Sequence, residues 1–266
     1  AALAAIPRDA PVSATSALYP HLTNGFEAYW FPAEPQTEWL ALDVAGSTHP
    51  LSALEMRDAA LQWLRRPDVT IQQARAGVLV LRRRAGTVRD PPLAADSNQP
   101  TLGDVLRSDP AALPANFYSF VQAGATLPSG ATPLDVTFGS DLTLSGYELH
   151  QWPQVGLLGA SATLDTYWRV PARPRTDWRF ALATTRSGDG ALSGFHPDIA
   201  AGPLWWPTTL WQPGQLYRLQ MPVEQLGGIQ ALGVAVMNAS EQRLPATAMQ
   251  TPVWDNGTIA QVVRLA

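Results

Sequence analysis

Proline and glycine interrupt this chain so often that a long helix has little room to form. The 266 residues include 24 prolines and 20 glycines, and only 15% of the residues are charged. Proline removes a backbone donor and fixes φ, so frequent prolines confine regular structure to short segments between turns. We therefore predict a chain made mostly of short strands, with few helices.

Length and composition indicate two domains and exclude several classes of function. Hydrophobic residues make up 46% of the chain, which is enough for two small cores. No apolar run approaches the about 20 residues of a membrane-spanning helix. The absence of cysteine excludes disulfides and thiolate sites. The net charge of −4 lies wholly in residues 91–266, so neither part is predicted to bind nucleic acid, and no cofactor is predicted.

The first part of the sequence predicts a small α/β module over residues 1–86. Three short apolar runs near Val12, Tyr29 and Leu40 are bounded by turn residues, as strands are. Ser52 and Glu55 form a capping-box pattern at the start of an amphipathic helix that should run to about residue 66. Two further strands follow, around a tight turn before Gly77.

The remainder predicts a connector over residues 87–116 and an antiparallel β-sandwich, similar to a jelly roll, over residues 117–266. The connector is rich in proline and short polar residues. The fold class is therefore α+β in two domains. Strand-like runs with turn signals between them are typical of a sandwich; they cover residues 134–138, 142–149, 160–170, 178–184, 215–221, 229–236 and 258–265.

A search for catalytic and metal-binding motifs finds none of the common ones, so no catalytic residue and no metal ligand is predicted. The four histidines are scattered singly, at positions 21, 49, 150 and 196, although a pairing in the fold stays open. His21 could cap a turn or act as a base, and Asp43 could shape a turn or face a ligand. The run from Arg82 to Arg84 could contact anionic headgroups or end a solvated strand.

Four residues in the second part are candidates for ligand binding. His196 and Asp198 pair a base with a carboxylate, but the proline between them favours a loop-shaping role. Trp205 and Trp206 begin a segment with three indoles in seven residues, and flat indole faces suit the C–H surfaces of sugars. The opposing interpretation is that these tryptophans fill the core, as large aromatic residues do.

The first part also resembles a family of predicted polytopic bacterial membrane proteins of uncharacterised function. The matching residues are Ile6–Ala14, Leu18–Leu22, Tyr29–Pro32 and Leu40–Asp43. This family looks related to the GT-C type membrane glycosyltransferases that use polyprenyl-phosphate sugars. In such proteins the corresponding segment follows the last transmembrane helix.

The second part resembles a C-terminal domain attached to similar membrane proteins. The matching segments are Phe138–Gly139, Leu144–Leu149, Tyr167–Trp168, Asp198, Pro207–Gly214 and Arg243–Pro245. The resemblance implies a location on the extracytoplasmic face of the bacterial cytoplasmic membrane, with N-terminal transmembrane helices as the tether. The catalytic acids expected of such glycosyltransferases lie in loops between membrane helices.

We therefore expect a non-catalytic extracytoplasmic region, an accessory or docking domain whose partner is its own membrane domain. The alternative is a carbohydrate-binding module for envelope glycans that uses an exposed platform of Trp205 and Trp206. An enzyme that uses His21, or His196 with Asp198, is a third hypothesis, and it requires a pocket with convergent polar groups.

Overall fold

The chain forms two compact units, Ala1–Phe120 and Val121–Ala266. The computed structural model describes residues 2–24, 27–32, 37–84, 105–106, 109, 112–152, 161–186, 191–223 and 226–265. Most of the predicted connector lies outside these residues. Within the described ranges, no helix combines the length and apolarity needed to cross a bilayer.

In its described residues the first unit is a mixed sheet with helix α1 (Ala53–Leu64) and a short helical stretch at residues 105–106. Its strands and helix are β1 (Val12–Ala14), β2 (Ala28–Trp30), β3 (Trp39–Asp43), α1 (Ala53–Leu64), β4 (Val69–Arg75) and β5 (Val78–Arg83). The strand order is β2-β1-β3-β5-β4. Strand β1 is parallel to β2 and β3, whereas β5 is antiparallel to β3 and β4. Short 3-10 helices cover Ala2–Ala5, Tyr19–His21 and Ala115–Phe120.

Helix α1 begins at the predicted capping box. The Ser52 hydroxyl accepts a hydrogen bond from the Glu55 backbone N–H, and the Glu55 carboxylate accepts one from the Ser52 N–H. These bonds satisfy donors that the first helical turn leaves free. Met56 and Trp63 lie on the buried side. The helix ends at Leu64, because Pro67 disfavours helical backbone at the residue before it.

The turn between β4 and β5 joins the 3-10 helix at Ala115–Phe120 to the first unit. Ala76 and Gly77 both have positive φ, at 48° and 77°, as a two-residue hairpin of type I′ requires. Their N–H groups donate to the carbonyls of Asn116 and Phe117. The first unit therefore extends to Phe120, and the second begins at Val121.

The second unit contains two antiparallel sheets, which confirms the predicted sandwich. A six-stranded sheet has the order β14-β7-β8-β9-β12-β6, and a five-stranded sheet has the order β11-β10-β13-β16-β15. Its strands are β6 (Gln122–Gly124), β7 (Thr132–Phe138), β8 (Leu142–Trp152), β9 (Ser161–Arg169), β10 (Arg179–Thr185), β11 (Leu192–Pro197), β12 (Leu216–Val223), β13 (Ala231–Met237), β14 (Ala246–Ala248), β15 (Val253–Trp254) and β16 (Ile259–Arg264). A one-turn helix, α2, spans Gly202–Trp205, and a 3-10 helix spans Thr208–Leu210.

Aromatic side chains from both sheets form the centre of the sandwich. The Trp168 ring of β9 lies 5.5 Å from Phe138 of β7 and 4.9 Å from Phe180 of β10, measured between centroids. Trp211 lies 5.9 Å from Phe180 and stacks on Tyr217 of β12 at 4.3 Å. Phe180 lies on the five-stranded sheet, whereas Phe138, Trp168 and Tyr217 lie on the six-stranded sheet. The two sheets therefore pack face to face around these rings.

Candidate functional site

The tryptophan platform expected at residues 205 and 206 does not form. Trp205 lies in α2 and is only 3% exposed, while Trp206 at the end of that helix is partly exposed. Trp211 is fully buried and its Nε1 donates to the Trp206 carbonyl. An indole that packs inside the protein cannot offer its face to a sugar. The exposed Trp205–Trp206 platform that the carbohydrate-binding alternative requires is therefore not present, and Trp205 packs in the core as the opposing interpretation has it.

His196 and Asp198 lie near one another at the end of β11 but do not form a catalytic pair. The Asp198 carboxylate accepts two hydrogen bonds from Arg179 Nε, at 2.9 and 3.1 Å. This pairing raises the pKa of the Arg179 guanidinium. His196 is exposed on the edge strand, and Asp198 has a positive φ of 54°. Asp198 therefore anchors a turn through Arg179, in line with the loop-shaping interpretation.

Asp43 shapes a turn at the end of β3. Its Oδ1 accepts hydrogen bonds from the backbone N–H groups of Ala45 and Gly46, at 3.0 and 3.2 Å. Its own N–H donates to the Thr15 hydroxyl. Burial raises the pKa of the Asp43 carboxyl, and the two backbone hydrogen bonds act in the opposite direction. The carboxylate thus satisfies local backbone groups, as the turn interpretation predicts.

The other candidates in the first unit are surface residues. His21 is exposed in the 3-10 helix that follows β1. Arg82, the first of the three consecutive arginines, pairs with Glu38 at 2.8 Å and lies over the Trp39 ring at 5.2 Å. These contacts give Arg82 a structural role near the end of β5, an interior strand of the sheet.

The most concentrated group of ionisable side chains lies on the outward face of the six-stranded sheet. Its members come from three adjacent strands, and we call them the polar cluster: Glu148 and His150 of β8, Asp165 and Tyr167 of β9, and Arg218 of β12. Trp168 packs in the core, so its neighbours in β9 point outward by the alternation of a strand. Glu148 pairs directly with Asp165, and Arg218 pairs with Tyr167.

A β-bulge in β8 places Glu148 and His150 on this face. Leu144 pairs with Trp168 and Gly146 pairs with Tyr167, so Ser145 is an extra residue between them. Leu144 faces the core, as its complete burial shows. The extra residue shifts the alternation of inward and outward side chains by one position. Gly146, Glu148 and His150 therefore face outward, although Leu144 faces the core.

The polar cluster is held together by short contacts among its own members. The Tyr167 hydroxyl donates to Glu148 Oε2 at 2.7 Å. His150 Nε2 lies 3.6 Å from Glu148 Oε2 and 3.5 Å from Asp165 Oδ2. Arg218 Nη1 lies 3.9 Å from the same Asp165 oxygen. Charges of both signs thus converge on Asp165, which leaves one carboxylate charge of the cluster without a matching cation when His150 is neutral.

Asp165 and Tyr167 are unusually well buried for residues that point away from the core, each being only 2% exposed. Burial raises the pKa of the Asp165 carboxyl, opposed by the charge of Arg218 and by the Gln220 side chain. Burial and the hydrogen bond to Glu148 raise the pKa of the Tyr167 hydroxyl. Gln220 donates a hydrogen bond to the Asp165 carboxylate, but within the described residues no donor is well placed for a hydrogen bond to Asp165 Oδ1. An unpaired oxygen on a buried carboxylate is costly, so its retention suggests a role.

The loop between β6 and β7 covers one side of the polar cluster. A Cβ added to Gly130 would lie 2.7 Å from Glu148 Oε1, so the loop backbone packs against that carboxylate. A Cβ on Gly146 would lie 2.8 Å from the Thr132 carbonyl and 2.9 Å from the Leu127 side chain. The loop therefore limits how far Glu148 can move.

Sequence reasoning missed this site because it treated the histidines one at a time. Glu148, His150 and Asp165 each offer a ligand atom, and these atoms lie within 4.8 Å of one another. The available signal was the alternation of Glu148 and His150 along one strand. Asp165 could not be added to it, because its cross-strand pairing with Glu148 depends on a register shifted by the bulge.

Comparison with known proteins gives no assignment. No protein-family model matches the sequence, and no curated protein and no solved structure matches it significantly.

Proposed function

We propose that this chain is a non-catalytic extracytoplasmic region of a bacterial membrane protein related to glycosyltransferases, and that its sandwich binds envelope glycans through the polar cluster. The location and the membrane domain as partner follow from the family resemblance. The proposed glycan site is the polar cluster on the six-stranded sheet, because Trp205 is buried and the tryptophan pair offers no platform. The single observation that supports this site is Asp165, an almost fully buried carboxylate with one oxygen unpaired among the described residues.

The chemistry of the polar cluster suits ligands with many hydroxyl groups. Carboxylates accept hydrogen bonds from hydroxyls, and a guanidinium or an imidazole donates to their oxygens. Glu148 and His150 are partly accessible, with side-chain exposures of 18% and 48%. All five side chains extend from hydrogen-bonded strands, which fixes their positions before a ligand arrives and lowers the entropic cost of binding.

Paired carboxylates are also the groups that perform glycoside hydrolysis when they flank the scissile bond. Here the Glu148 and Asp165 oxygens lie within 4.8 Å of each other, and the His150 imidazole lies within 3.6 Å of both. Carboxylates that perform this hydrolysis stand about 5 Å or more apart, with the sugar between them. This arrangement favours binding over hydrolysis.

The test is calorimetric titration of the protein with oligosaccharides prepared from bacterial envelopes, in buffers with and without a chelator. We expect weak binding, which Asp165→Asn should lower at least tenfold because the amide offers one acceptor where the carboxylate offers two. Glu241→Gln is the matched control, since this carboxylate is 72% exposed and lies outside the polar cluster.

Two results would contradict the proposal. Wild-type protein that binds no oligosaccharide in either buffer removes the glycan site. Release of reducing sugar that is lost in Glu148→Gln would show that the polar cluster is catalytic instead.

A further inference from the structure

The polar cluster contains side chains of the kinds that bind divalent transition metals. We infer that Glu148, His150 and Asp165 form a binding site for Zn²⁺ or a chemically similar ion such as Co²⁺. Zinc in proteins takes imidazole nitrogen and carboxylate oxygen as ligands, and three protein ligands with an open position are a common arrangement. The inference rests on the site of the proposed function and names an ion that this site binds.

The spacing of the donor atoms fits a tetrahedral ion. With bonds of about 2.0–2.1 Å, adjacent ligand atoms around tetrahedral zinc are separated by about 3.3 Å. His150 Nε2 lies 3.5 Å from the Asp165 oxygen and 3.6 Å from the Glu148 oxygen. The set as a whole lies within 4.8 Å. Small rotations of two partly exposed side chains would bring the three atoms onto one ion.

The burial of Asp165 supports the site independently of this spacing. Its side chain is 3% exposed, and its Oδ1 meets no hydrogen-bond donor from the described residues with adequate geometry. Burying a carboxylate is unfavourable unless its charge is matched, and a cation bound at Oδ2 would match it. A site that served only to pair His150 with acids would have no need of a carboxylate buried this deeply.

Neighbouring side chains hold the ligands as outer-shell groups do in metal sites. Tyr167 donates to Glu148 Oε2 at 2.7 Å and so fixes the orientation of that carboxylate. Arg218, at 3.9 Å from Asp165 Oδ2, offsets one of the two carboxylate charges. With a neutral imidazole, the ligands and Arg218 together carry one net negative charge, which attracts a cation.

An ion held by these three residues would keep open coordination positions on the outward side of the sheet. Hydroxyl groups of a sugar are ligands of the required kind, so the ion would anchor a glycan at the same place. Cation binding can be measured without any sugar, which separates this inference from the proposed function.

The experiment is titration of metal-free protein with Zn²⁺ against a chromophoric chelator, together with Co²⁺ spectroscopy. We expect one Zn²⁺ per chain and an intense visible Co²⁺ spectrum of low coordination number. Loss of an outer-shell partner typically lowers metal affinity by about 10–100-fold, so Tyr167→Phe should fall in this range. His150→Ala and Asp165→Asn should lower the affinity more and abolish the Co²⁺ spectrum.

The matched control is His21→Ala, which removes an exposed histidine from the first unit and should leave the affinity unchanged. Each variant is checked for folding by its thermal melt. If Asp165→Asn does not fold, His150→Gln at an exposed position decides the question in its place.

The inference is overturned if wild-type protein binds Zn²⁺ no better than His150→Ala, which would leave an ion pair between the imidazole and the acids. Equal losses in His21→Ala and His150→Ala would show adventitious binding to surface histidines and also overturn it. Protein that binds Zn²⁺ but no oligosaccharide contradicts the proposed function alone. Binding of oligosaccharide in chelator without binding of metal contradicts this inference alone.

Discussion

The outward faces of the two sandwich sheets differ in polarity. On the six-stranded sheet the polar cluster occupies the face, whereas the five-stranded sheet carries an apolar face of Ala181, Ala183, Ala235, Met237 and Ile259. Phe195 and Trp254 pack against this apolar face from neighbouring strands, and the Arg243 guanidinium lies 4.2 Å from the centre of the Phe195 ring. The apolar face is thus covered by the protein's own residues, whereas the polar cluster stays partly accessible.

The two faces differ in whether the chain's own residues meet the physical requirements of the side chains there. Apolar surface is stabilised simply by exclusion from water, so alanines beneath two aromatic rings need no further partner. A buried carboxylate needs donors or a cation, and Asp165 keeps an oxygen for which the described residues supply no well-placed donor. Small residues therefore complete the apolar face, whereas the proposed function gives the polar cluster a partner from outside the chain.

An exposed Trp205 would make the surface around α2 a second candidate for ligand binding. Substitution of Trp205 tests whether this indole is exposed. Trp205→Ala should lower the free energy of unfolding by about 3–5 kcal/mol, because it removes a buried indole and leaves a cavity. Trp254→Ala is the control, since that indole is only partly buried and should cost clearly less. Chemical denaturation measures both. Equal, small effects would show that Trp205 is exposed.

The apolar face can be tested at Gly233, over which Trp254 packs. A Cβ at this position would lie 2.7 Å from the Trp254 ring and 3.0 Å from the Ala260 carbonyl. Gly233→Ala should therefore cost about 1–3 kcal/mol of unfolding free energy through overpacking. Gly227→Ala, whose Cβ would meet open space, should be nearly neutral. A neutral result at Gly233 would mean that Trp254 does not cover the face.

The polar cluster can be tested through the hydrogen bond from Tyr167 to Glu148. Tyr167→Phe should cost about 1 kcal/mol or slightly more, because it removes a bond to a carboxylate while it keeps the ring. The bond itself is isolated by a double-mutant cycle with Glu148→Ala, which removes the acceptor, measured by denaturation. If the two effects add within about 0.3 kcal/mol, the hydroxyl and the carboxylate are not coupled.

Asp43 is a buried carboxylate whose oxygen accepts hydrogen bonds from the chain itself, so it serves as a reference for Asp165. Its substitution should have the smallest effect on stability. In Asp43→Asn the side-chain amide oxygen can accept the same two backbone bonds, so the substitution removes only the buried charge. Because burial raises the pKa of Asp43, the folded state holds its proton at higher pH than the unfolded state does. Wild-type stability should then fall relative to Asp43→Asn as pH rises from its unfolded pKa of about 3.9 through the folded pKa.

Thermal melts of both proteins at acidic and neutral pH measure this difference. A relative gain for the wild type on going to neutral pH would have the wrong sign and would show that the backbone bonds outweigh burial at Asp43.

Much of the fold could be predicted because its signals are local. The capping box at Ser52 and Glu55 depends on residues three apart, and it forms as expected. The long central strands of the sandwich, such as β9 and β13, stand out as apolar or alternating runs. The short edge strands β6, β14 and β15 were missed, since two or three residues carry no periodicity. Strand β11 was missed because proline and glycine dilute its pattern.

The site could not be predicted because it depends on pairing between strands. Asp165 looks like an ordinary outward residue of β9 until β8 is placed beside it in a particular register. For Trp205 and Trp206 the sequence left a surface platform and a core role both open, because three indoles close together in sequence are compatible with either. The burial of Trp205 depends on how α2 packs, and composition does not encode that packing.

The extra residue Ser145 in β8 determines which sequence positions in the rest of that strand face outward. Upstream of it, even-numbered positions such as Leu144 serve the interior, and downstream of it the even-numbered positions Glu148 and His150 face outward. The bulge absorbs this extra residue, so deleting Ser145 would restore regular pairing and leave Glu148 opposite Asp165 on the outward face. A deletion or insertion further along β8 that no bulge absorbs would instead turn His150 toward the core.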